Sequence, residues 1–187
     1  MENKIYLRAF EHSDLDLLNS IRNDDTLFST TTGNKYYISS EHDKKWIEDK
    51  IFNNSNQLYL VICCSEKHQP MGYTSANNID YLNRKAEWGG MVISKDFNSK
   101  GMGTEAGYLF LDHLFGELGM NMVYAYVNEN NKASYRLSEK YGFTKDGLIR
   151  DFVYKQNRFH NAYIFSMLRG EYEKLQLNRN ESINSTK

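Results

Sequence analysis

Strand-length apolar runs that alternate with helix-period segments are the feature that most restricts the fold of this chain. The run QLYLVICC at 57–64 has a length and composition typical of a strand, whereas apolar residues recur at helical spacing from 101 to 118. The chain contains a single proline, Pro70, so little interrupts these elements. Their order, β-α-α-β-β-β-α-β-α-β-β, predicts an α/β layer fold built on a mixed sheet.

The predicted elements cover most of the chain. We predict strands at 4–10, 57–64, 70–79, 86–93, 122–127, 143–152 and 162–168, and helices that begin near Ser13, Ser40, Gly101 and Asn131. The polar stretch 26–37 predicts a loop. We expect one domain over residues 1–172, followed by a polar C-terminal tail at 173–187 that frays.

Composition excludes several classes of function. The chain has 23 Lys+Arg against 24 Asp+Glu, and this balance excludes a strongly basic nucleic-acid binder. No apolar run approaches the roughly 20 residues that span a bilayer, and the first residues lack the apolar core of a signal peptide, so we expect no membrane partner. The only two cysteines, Cys63 and Cys64, are adjacent and provide no disulfide framework, which favours the reducing cytoplasm. No histidine pair has metal-ligand spacing, so we expect no metal.

Two glycines, Gly101 and Gly103, lie between a predicted strand and a predicted helix. Glycine lets the backbone approach a ligand, and the free N–H groups of the helix that follows can bind an anion such as a diphosphate. The same glycines could instead serve a plain strand-to-helix turn. The P-loop motif is absent, and Gly107 falls one residue late for the dinucleotide fingerprint.

The segment NSKGMG at 98–103 resembles the coenzyme A cradle [QR]-x-x-G-x-[GA] of the GNAT N-acetyltransferases. VNENNKAS at 127–134, followed by EKYGF at 139–143, is similar to the N-x-x-[AS]…G-F signature of that superfamily. The resemblance extends from about residue 4 to residue 169. It implies a mixed, mostly antiparallel sheet flanked by helices on both faces, and direct transfer from acetyl-CoA to an amine. In detail the chain resembles the branch that acetylates ribosomal-protein N-termini, spermidine or amino sugars.

The resemblance also implies a set of cofactor-binding residues. Asn131 matches the Asn that contacts the pantetheine region in the family, whereas Asn98 departs from the usual Gln or Arg of the cradle. The basic residues Lys100, Lys132 and Arg136 could meet the phosphates or could be solvated surface charges. The complete predicted set for acetyl-CoA is Met91, Val92, Ile93, Asn98, Ser99, Lys100, Gly101, Met102, Gly103, Thr104, Asn131, Ser134 and Arg136.

Glu87 is the candidate general base. It has the same spacing to the cradle glycine as the catalytic Glu of the histone-acetylating members of the family. A carboxylate there can accept the proton of the amine, directly or through water. The alternative is a surface glutamate that pairs with Arg84 or Lys85.

The oxyanion donors are expected on the same strand as Glu87. In the family this strand splays from its neighbour, which leaves the backbone N–H of Gly90 or Met91 for the thioester oxygen. The pair Gly89-Gly90 would assist a β-bulge there, although an ordinary irregularity of a strand edge is the alternative.

Ser138 is the candidate general acid, since many family members place a Tyr at this position, one helical turn before Gly142. Some ribosomal-protein acetyltransferases resemble this chain in having Ser there. Helical spacing points Tyr135 and Tyr141 away from Ser138. The alternative is a small serine on the helix surface.

The acceptor is expected to be a primary amine, and polyamine, amino sugar and protein N-terminus all stay open. A second hypothesis is a catalytically idle acyl-CoA-binding module that acts through a protein partner, because Asn98 and Ser138 depart from the common pattern. The resemblance further implies a possible homodimer. The expected acceptor contacts are Asn23–Tyr37, Glu41, His42, Trp46, Tyr81 and Tyr154–Asn161.

Overall fold

The computed structural model describes residues 4–33, 36–53, 55–94, 97 and 101–184. The strands are β1 (Ile5–Ala9), β2 (Leu58–Cys64), β3 (Gln69–Asp80), β4 (Lys85–Ile93), β5 (Met122–Asn128), β6 (Thr144–Lys155) and β7 (Arg158–Leu168). The helices are α1 (Leu15–Arg22), α2 (Asp25–Ser29), α3 (Ser40–Phe52), α4 (Met102–Asp112), α5 (Lys132–Tyr141) and α6 (Arg169–Asn184). A π-helical turn, His113–Glu117, continues α4.

The strands of the described part of the chain form one seven-stranded sheet, in the order β1-β2-β3-β4-β5-β7-β6. Neighbouring strands are antiparallel except β4 and β5, which are parallel. These two strands pair only from Lys85 with Met122 to Glu87 with Tyr124. Beyond Glu87 they separate, and this gap in the middle of the sheet is the largest departure from regular pairing. The predicted mixed, mostly antiparallel sheet is confirmed.

Helices cover both faces of the sheet. Successive side chains of a strand point to opposite faces, so each strand can pack on helices of both sides. On β2, Val61 and Cys63 pack in one cluster with residues of α1 and α3. Ile62 and Cys64, between and after them, pack in another cluster with Ala106 of α4. The apolar run that predicted β2 is therefore a strand buried on both faces.

Two predictions about irregular segments are wrong. The predicted loop at 26–37 overlaps the short helix α2, which forms because the Asp24 side chain accepts hydrogen bonds from the N–H groups at its start. The predicted frayed tail is helical through Asn184. Tyr172 stacks on Phe115 with ring centroids 4.6 Å apart, and Asp112 binds side chains of α6. These tertiary contacts outweigh the polar composition of the segment.

No helix among the described residues is long and apolar enough to cross a membrane. The described residues also contain no cluster of His, Cys, Asp and Glu side chains that could hold a metal ion.

Candidate active site

A cavity of about 150 Å³ lies where β4 and β5 separate. An adjoining cavity of about 510 Å³ shares its β4 wall and extends to the start of α4 and to the loop after α2. The gap between the strands therefore brings many of the predicted site residues together. Those lining one or both cavities are Glu87, Met91, Val92, Ile93, Gly103, Asn131, Ser134 and Ser138.

A β-bulge shapes the β4 wall of the cavities. Ser75 pairs with Gly90 and Ala76 pairs with Trp88, so Gly89 is the extra residue. A Cβ on Gly89 would lie 2.6 Å from the Ser75 Oγ, and Gly90 has a φ of +107°, which side chains rarely allow. The predicted bulge at the glycine pair is confirmed.

A buried hydrogen-bond relay holds this bulge, and sequence analysis missed it. The Thr74 hydroxyl accepts a hydrogen bond from the indole Nε1 of Trp88 at 3.0 Å. It donates to the carbonyl oxygen of Gly90 at 3.1 Å. Thr74 is fully buried, so bulk water cannot replace either of these two hydrogen bonds. A threonine in a strand carries no local signal of such a role.

Glu87 is half-buried and lines the smaller cavity. Its Oε2 accepts a hydrogen bond from the Asn78 side chain at 2.8 Å. No ion pair joins Glu87 to Arg84 or Lys85 among the described residues, so the surface-pairing alternative has no support. After burial, which is the main cause, the negative charge of Glu87 also raises the pKa of Tyr124.

One face of α5 also lines the smaller cavity. The side chain of Asn131 accepts a hydrogen bond from the Ser134 N–H at 3.0 Å and so caps the helix. Ser134, Leu137 and Ser138 follow at helical spacing and line the cavity. Ser138 is half-buried and shares this cavity with Glu87, which is not the arrangement of a serine facing solvent.

The expectation for Tyr135 and Tyr141 is half right. Tyr135 packs against Tyr163 and Phe165, away from the cavity. Tyr141 instead lines the cavity, with its side chain 1% exposed. Its hydroxyl donates to the carbonyl oxygen of Gly103 at 2.8 Å, and burial raises its pKa. Tyr141 therefore fastens α5 to the first turn of α4 and is poorly suited to give up a proton.

The start of α4 fits a coenzyme A cradle. Gly101 precedes the helix with a φ of +75°, and a Cβ there would meet nothing within 4 Å. The first-turn N–H groups of such a helix are available to an anion. The Thr104 hydroxyl accepts a hydrogen bond from Lys140 at 3.1 Å, a cation that sequence analysis missed. Met102 packs in the core beside Ala106.

Several predicted residues lie elsewhere. The positions 98–100, which include Asn98, Ser99 and Lys100, are outside the described residues. Lys132 and Arg136 are exposed on α5 and line neither cavity. The expected acceptor contacts Glu41, His42, Trp46 and Tyr81 also line neither cavity, since Trp46 packs against Phe10 and Tyr59 while the other three are exposed.

A tether holds the loop after α2 over the larger cavity. The Lys155 ammonium donates to the carbonyl oxygens of Phe28 and Gly33, at the two ends of the segment that contributes Thr31 to both cavities. Burial lowers the pKa of Lys155. The ring of His160 contacts the Lys155 carbonyl oxygen through Nε2 at 3.2 Å.

Comparisons with known proteins identify the family and agree with this fold. A family model described as an acetyltransferase (GNAT) domain matches residues 4–144, and the chain belongs to this family. A putative ribosomal N-acetyltransferase, YdaF of Bacillus subtilis, is 35% identical over 102 residues, which cover 54% of this chain and 55% of that protein. The uncharacterized N-acetyltransferase p20 of Bacillus licheniformis is 30% identical over 118 residues, 63% of this chain and 65% of p20. The chain thus matches 55% of the length of YdaF and 65% of the length of p20.

Spermidine acetyltransferases are similar over a longer range. The spermidine N(1)-acetyltransferase of Escherichia coli is 24% identical over 174 residues, covering 91% of this chain and 89% of that enzyme. A crystal structure of spermidine N-acetyltransferase from Vibrio cholerae, in complex with CoA and spermine, superposes with a TM-score of 0.83. It is 22% identical and covers 90% of this chain and 98% of its own. At this identity the likeness establishes the fold.

Proposed function

We propose that the protein is an N-acetyltransferase that transfers the acetyl group of acetyl-CoA directly to a primary amine. The observation that carries the proposal is the smaller cavity, which Glu87 of the bulged strand β4 and Ser138 of α5 both line. This arrangement also argues against the idle acyl-CoA-binding module, because such a module needs no carboxylate and hydroxyl in one cavity.

Glu87 accepts a proton from the ammonium of the acceptor, directly or through one water, and so frees the nitrogen lone pair for attack. The backbone N–H of Gly90 or Met91 stabilises the negative charge that develops on the carbonyl oxygen. As the new C–N bond forms and the C–S bond breaks, the Ser138 hydroxyl donates its proton to the leaving sulfur and is restored by the proton that the attacking nitrogen loses. Acetyl-CoA supplies the activated thioester.

The predicted cofactor residues fall into two groups. Met91, Val92 and Ile93 offer the unpaired edge of β4 beyond Glu87, and Asn131 and Ser134 face it from the start of α5. Gly101, Gly103 and Thr104 offer the N-terminal turn of α4 to the diphosphate. The assignments of Asn98, Ser99, Lys100, Met102 and Arg136 stay predictions.

We also propose a cytoplasmic location, a homodimer, and a single acetyltransferase domain over residues 1–172, against which the rest of α6 packs through Arg179 and Asp112. The two buried thiols, Cys63 and Cys64, suit a reducing compartment. A monomer in sedimentation at micromolar concentration would contradict the dimer.

The test is thiol release from acetyl-CoA across a panel of primary amines and peptide N-termini. Glu87→Gln should lower kcat by roughly a hundredfold or more, because an amide cannot accept the proton of the amine. Ser138→Ala should lower kcat while the KM for acetyl-CoA stays near the wild-type value. Glu139→Gln, an exposed change on α5, is the matched control. Unchanged turnover in both site variants would remove these residues from the mechanism.

A further inference from the structure

The charges on the cavity walls restrict the acceptor. Among the described lining residues, Glu87 is the only carboxylate and Arg22 is the only cation. Arg22 is at the end of α1 and lines the larger cavity on the side away from α4. An acceptor amine bound next to Glu87 therefore directs the rest of its structure towards a guanidinium, whose charge Asp43 balances and whose N–H groups only donate hydrogen bonds.

Arg22 is held in place by two neighbours. Its Nη1 lies 2.6 Å from an oxygen of Asp43, which is fully buried, and its guanidinium lies 4.1 Å from the ring centre of Trp46. The positive charge of Arg22 also acts on the nearby Tyr73 hydroxyl, although burial dominates and raises the pKa of Tyr73. Arg22 is thus a fixed part of the wall rather than a mobile surface side chain.

Aromatic rings near this wall already face protein cations. Besides Arg22, the ammonium of Lys50 lies 5.4 Å from the ring centres of Trp46 and of Tyr59. Ring faces occupied in this way offer little to a second ammonium from a ligand. The cavity walls consequently offer a multiply charged amine one carboxylate for its several cations.

Hydrogen-bond donors are concentrated on the same wall. The Tyr59 hydroxyl donates to Asn77 Oδ1 at 3.0 Å, which leaves the amide N–H groups of Asn77 on the side of Gly89. The Tyr73 hydroxyl lines the same cavity beside Arg22 and can donate a hydrogen bond as well. Donors of this kind recognise hydroxyl, carbonyl or carboxylate oxygens.

We infer that the acceptor carries one positive charge, on the amine that is acetylated, and an oxygen-rich neutral or anionic group that faces Arg22. This inference rests on the proposed function and refines it. A polyamine keeps further ammonium groups after the first amine is deprotonated, and an ammonium only donates hydrogen bonds, so it cannot pair with the donors of this wall. The acceptor class therefore differs from that named for the spermidine relatives.

The experiment compares three amines of equal chain length, 1,5-diaminopentane, 5-amino-1-pentanol and 5-aminopentanoate, with spermidine as a fourth. We expect kcat/KM for the amino alcohol and the amino acid to exceed that for the diamine by about tenfold or more. Equal or higher values for the diamine and spermidine would overturn the inference, while their turnover would still support the proposed acetyltransferase. If no amine is turned over, the proposed function fails. The affinities of the same four amines for the CoA-loaded protein, measured by calorimetry, then decide the inference: tighter binding of the amino alcohol and the amino acid supports it, and tighter binding of the diamine or spermidine overturns it.

The double variant Arg22→Gln/Asp43→Asn tests the residue responsible. Both members change together, because Arg22→Gln alone would leave the buried Asp43 carboxylate unpaired. The preference for oxygen-bearing amines over the diamine should fall to about threefold or less. Arg8→Gln/Asp14→Asn removes a similar ion pair outside both cavities and should keep the wild-type ranking. An unchanged ranking in the Arg22 variant would assign the selectivity elsewhere and overturn the role of Arg22.

Discussion

Replacing Gly107 with alanine should destabilise the protein, although alanine is the better helix former. Gly107 lies inside α4, where the Gly→Ala change favours a helix by about 1 kcal/mol. A Cβ at this position would lie 2.0 Å from the hydroxyl oxygen of Tyr141 and 2.2 Å from its Cζ, far inside van der Waals contact. Because the ring itself is too close, removal of the hydroxyl alone would not relieve the clash.

The cost follows from what Tyr141 must give up. Its side chain is 1% exposed, its ring packs against Trp88 and Tyr108, and its hydroxyl donates to Gly103. Full loss of a buried aromatic side chain costs about 3–5 kcal/mol and one hydrogen bond about 1 kcal/mol. Partial displacement, less the gain in helix propensity, gives a net loss of about 2–4 kcal/mol in the free energy of unfolding.

Thermal unfolding followed by circular dichroism measures this loss. For a chain of this size, about 2–4 kcal/mol corresponds to a fall in Tm of roughly 5–15 °C. Gly116→Ala is the matched control, because a Cβ there would meet nothing within 4 Å, and it should leave Tm unchanged or raise it. The double variant Gly107→Ala/Tyr141→Leu should show a favourable coupling above about 1 kcal/mol. A Gly107→Ala protein that melts at or above the wild-type temperature would refute the reasoning.

Three further changes test the walls of the cavities. Thr74→Val should cost about 1–3 kcal/mol in urea unfolding and lower kcat more than KM, since it breaks the relay that holds the bulge; an unchanged kcat would contradict this. Gly90→Ala should lower kcat in steady-state assays because its φ of +107° strains any side chain, and full activity would exclude that strain. Lys155→Met should raise the KM for the amine and speed backbone amide hydrogen exchange at residues 26–33. Lys155→Arg should restore both properties, and Lys145→Met should change neither. Burial lowers the pKa of Lys155 in the folded protein below its ordinary value of 10.5. In the pH range between the lowered pKa and 10.5, the unfolded chain binds more protons than the folded one, so this group's contribution to stability rises with pH there. Lys155→Met should therefore flatten the alkaline part of the stability profile relative to wild type.

Local patterns were sufficient for the elements and for part of the site. The helical spacing after Asn131 places Ser134 and Ser138 on one face of α5, and that face meets the cavity. The glycine pair 89–90 indicated the bulge in β4. Both features depend on residues close together in the sequence, where periodicity and backbone freedom are informative.

Contacts between distant segments could not be found in this way. Lys155 binds Phe28 across a separation of 127 residues, and no local pattern indicates that partner. Tyr141 follows Ser138 by three residues, a spacing that puts both on one face of α5, so the prediction that directs it elsewhere is wrong. Its hydrogen bond to Gly103, 38 residues away, has no local signal. The helix α6 forms because Asp112 and Phe115 bind it, although its own sequence is polar.

The narrow seam between β4 and β5 has a consequence for folding. Strands β1–β4 and β5–β7 are each joined by antiparallel pairs, whereas among the described residues strand pairing between the two groups runs only from Lys85 with Met122 to Glu87 with Tyr124. Parallel pairing across an intervening helix closes a longer loop than a hairpin does, so this junction is costly to form early. The cavity exists only once the junction is complete. Recovery of enzyme activity during refolding would then report the docking of the two halves, whereas circular dichroism would report the halves themselves.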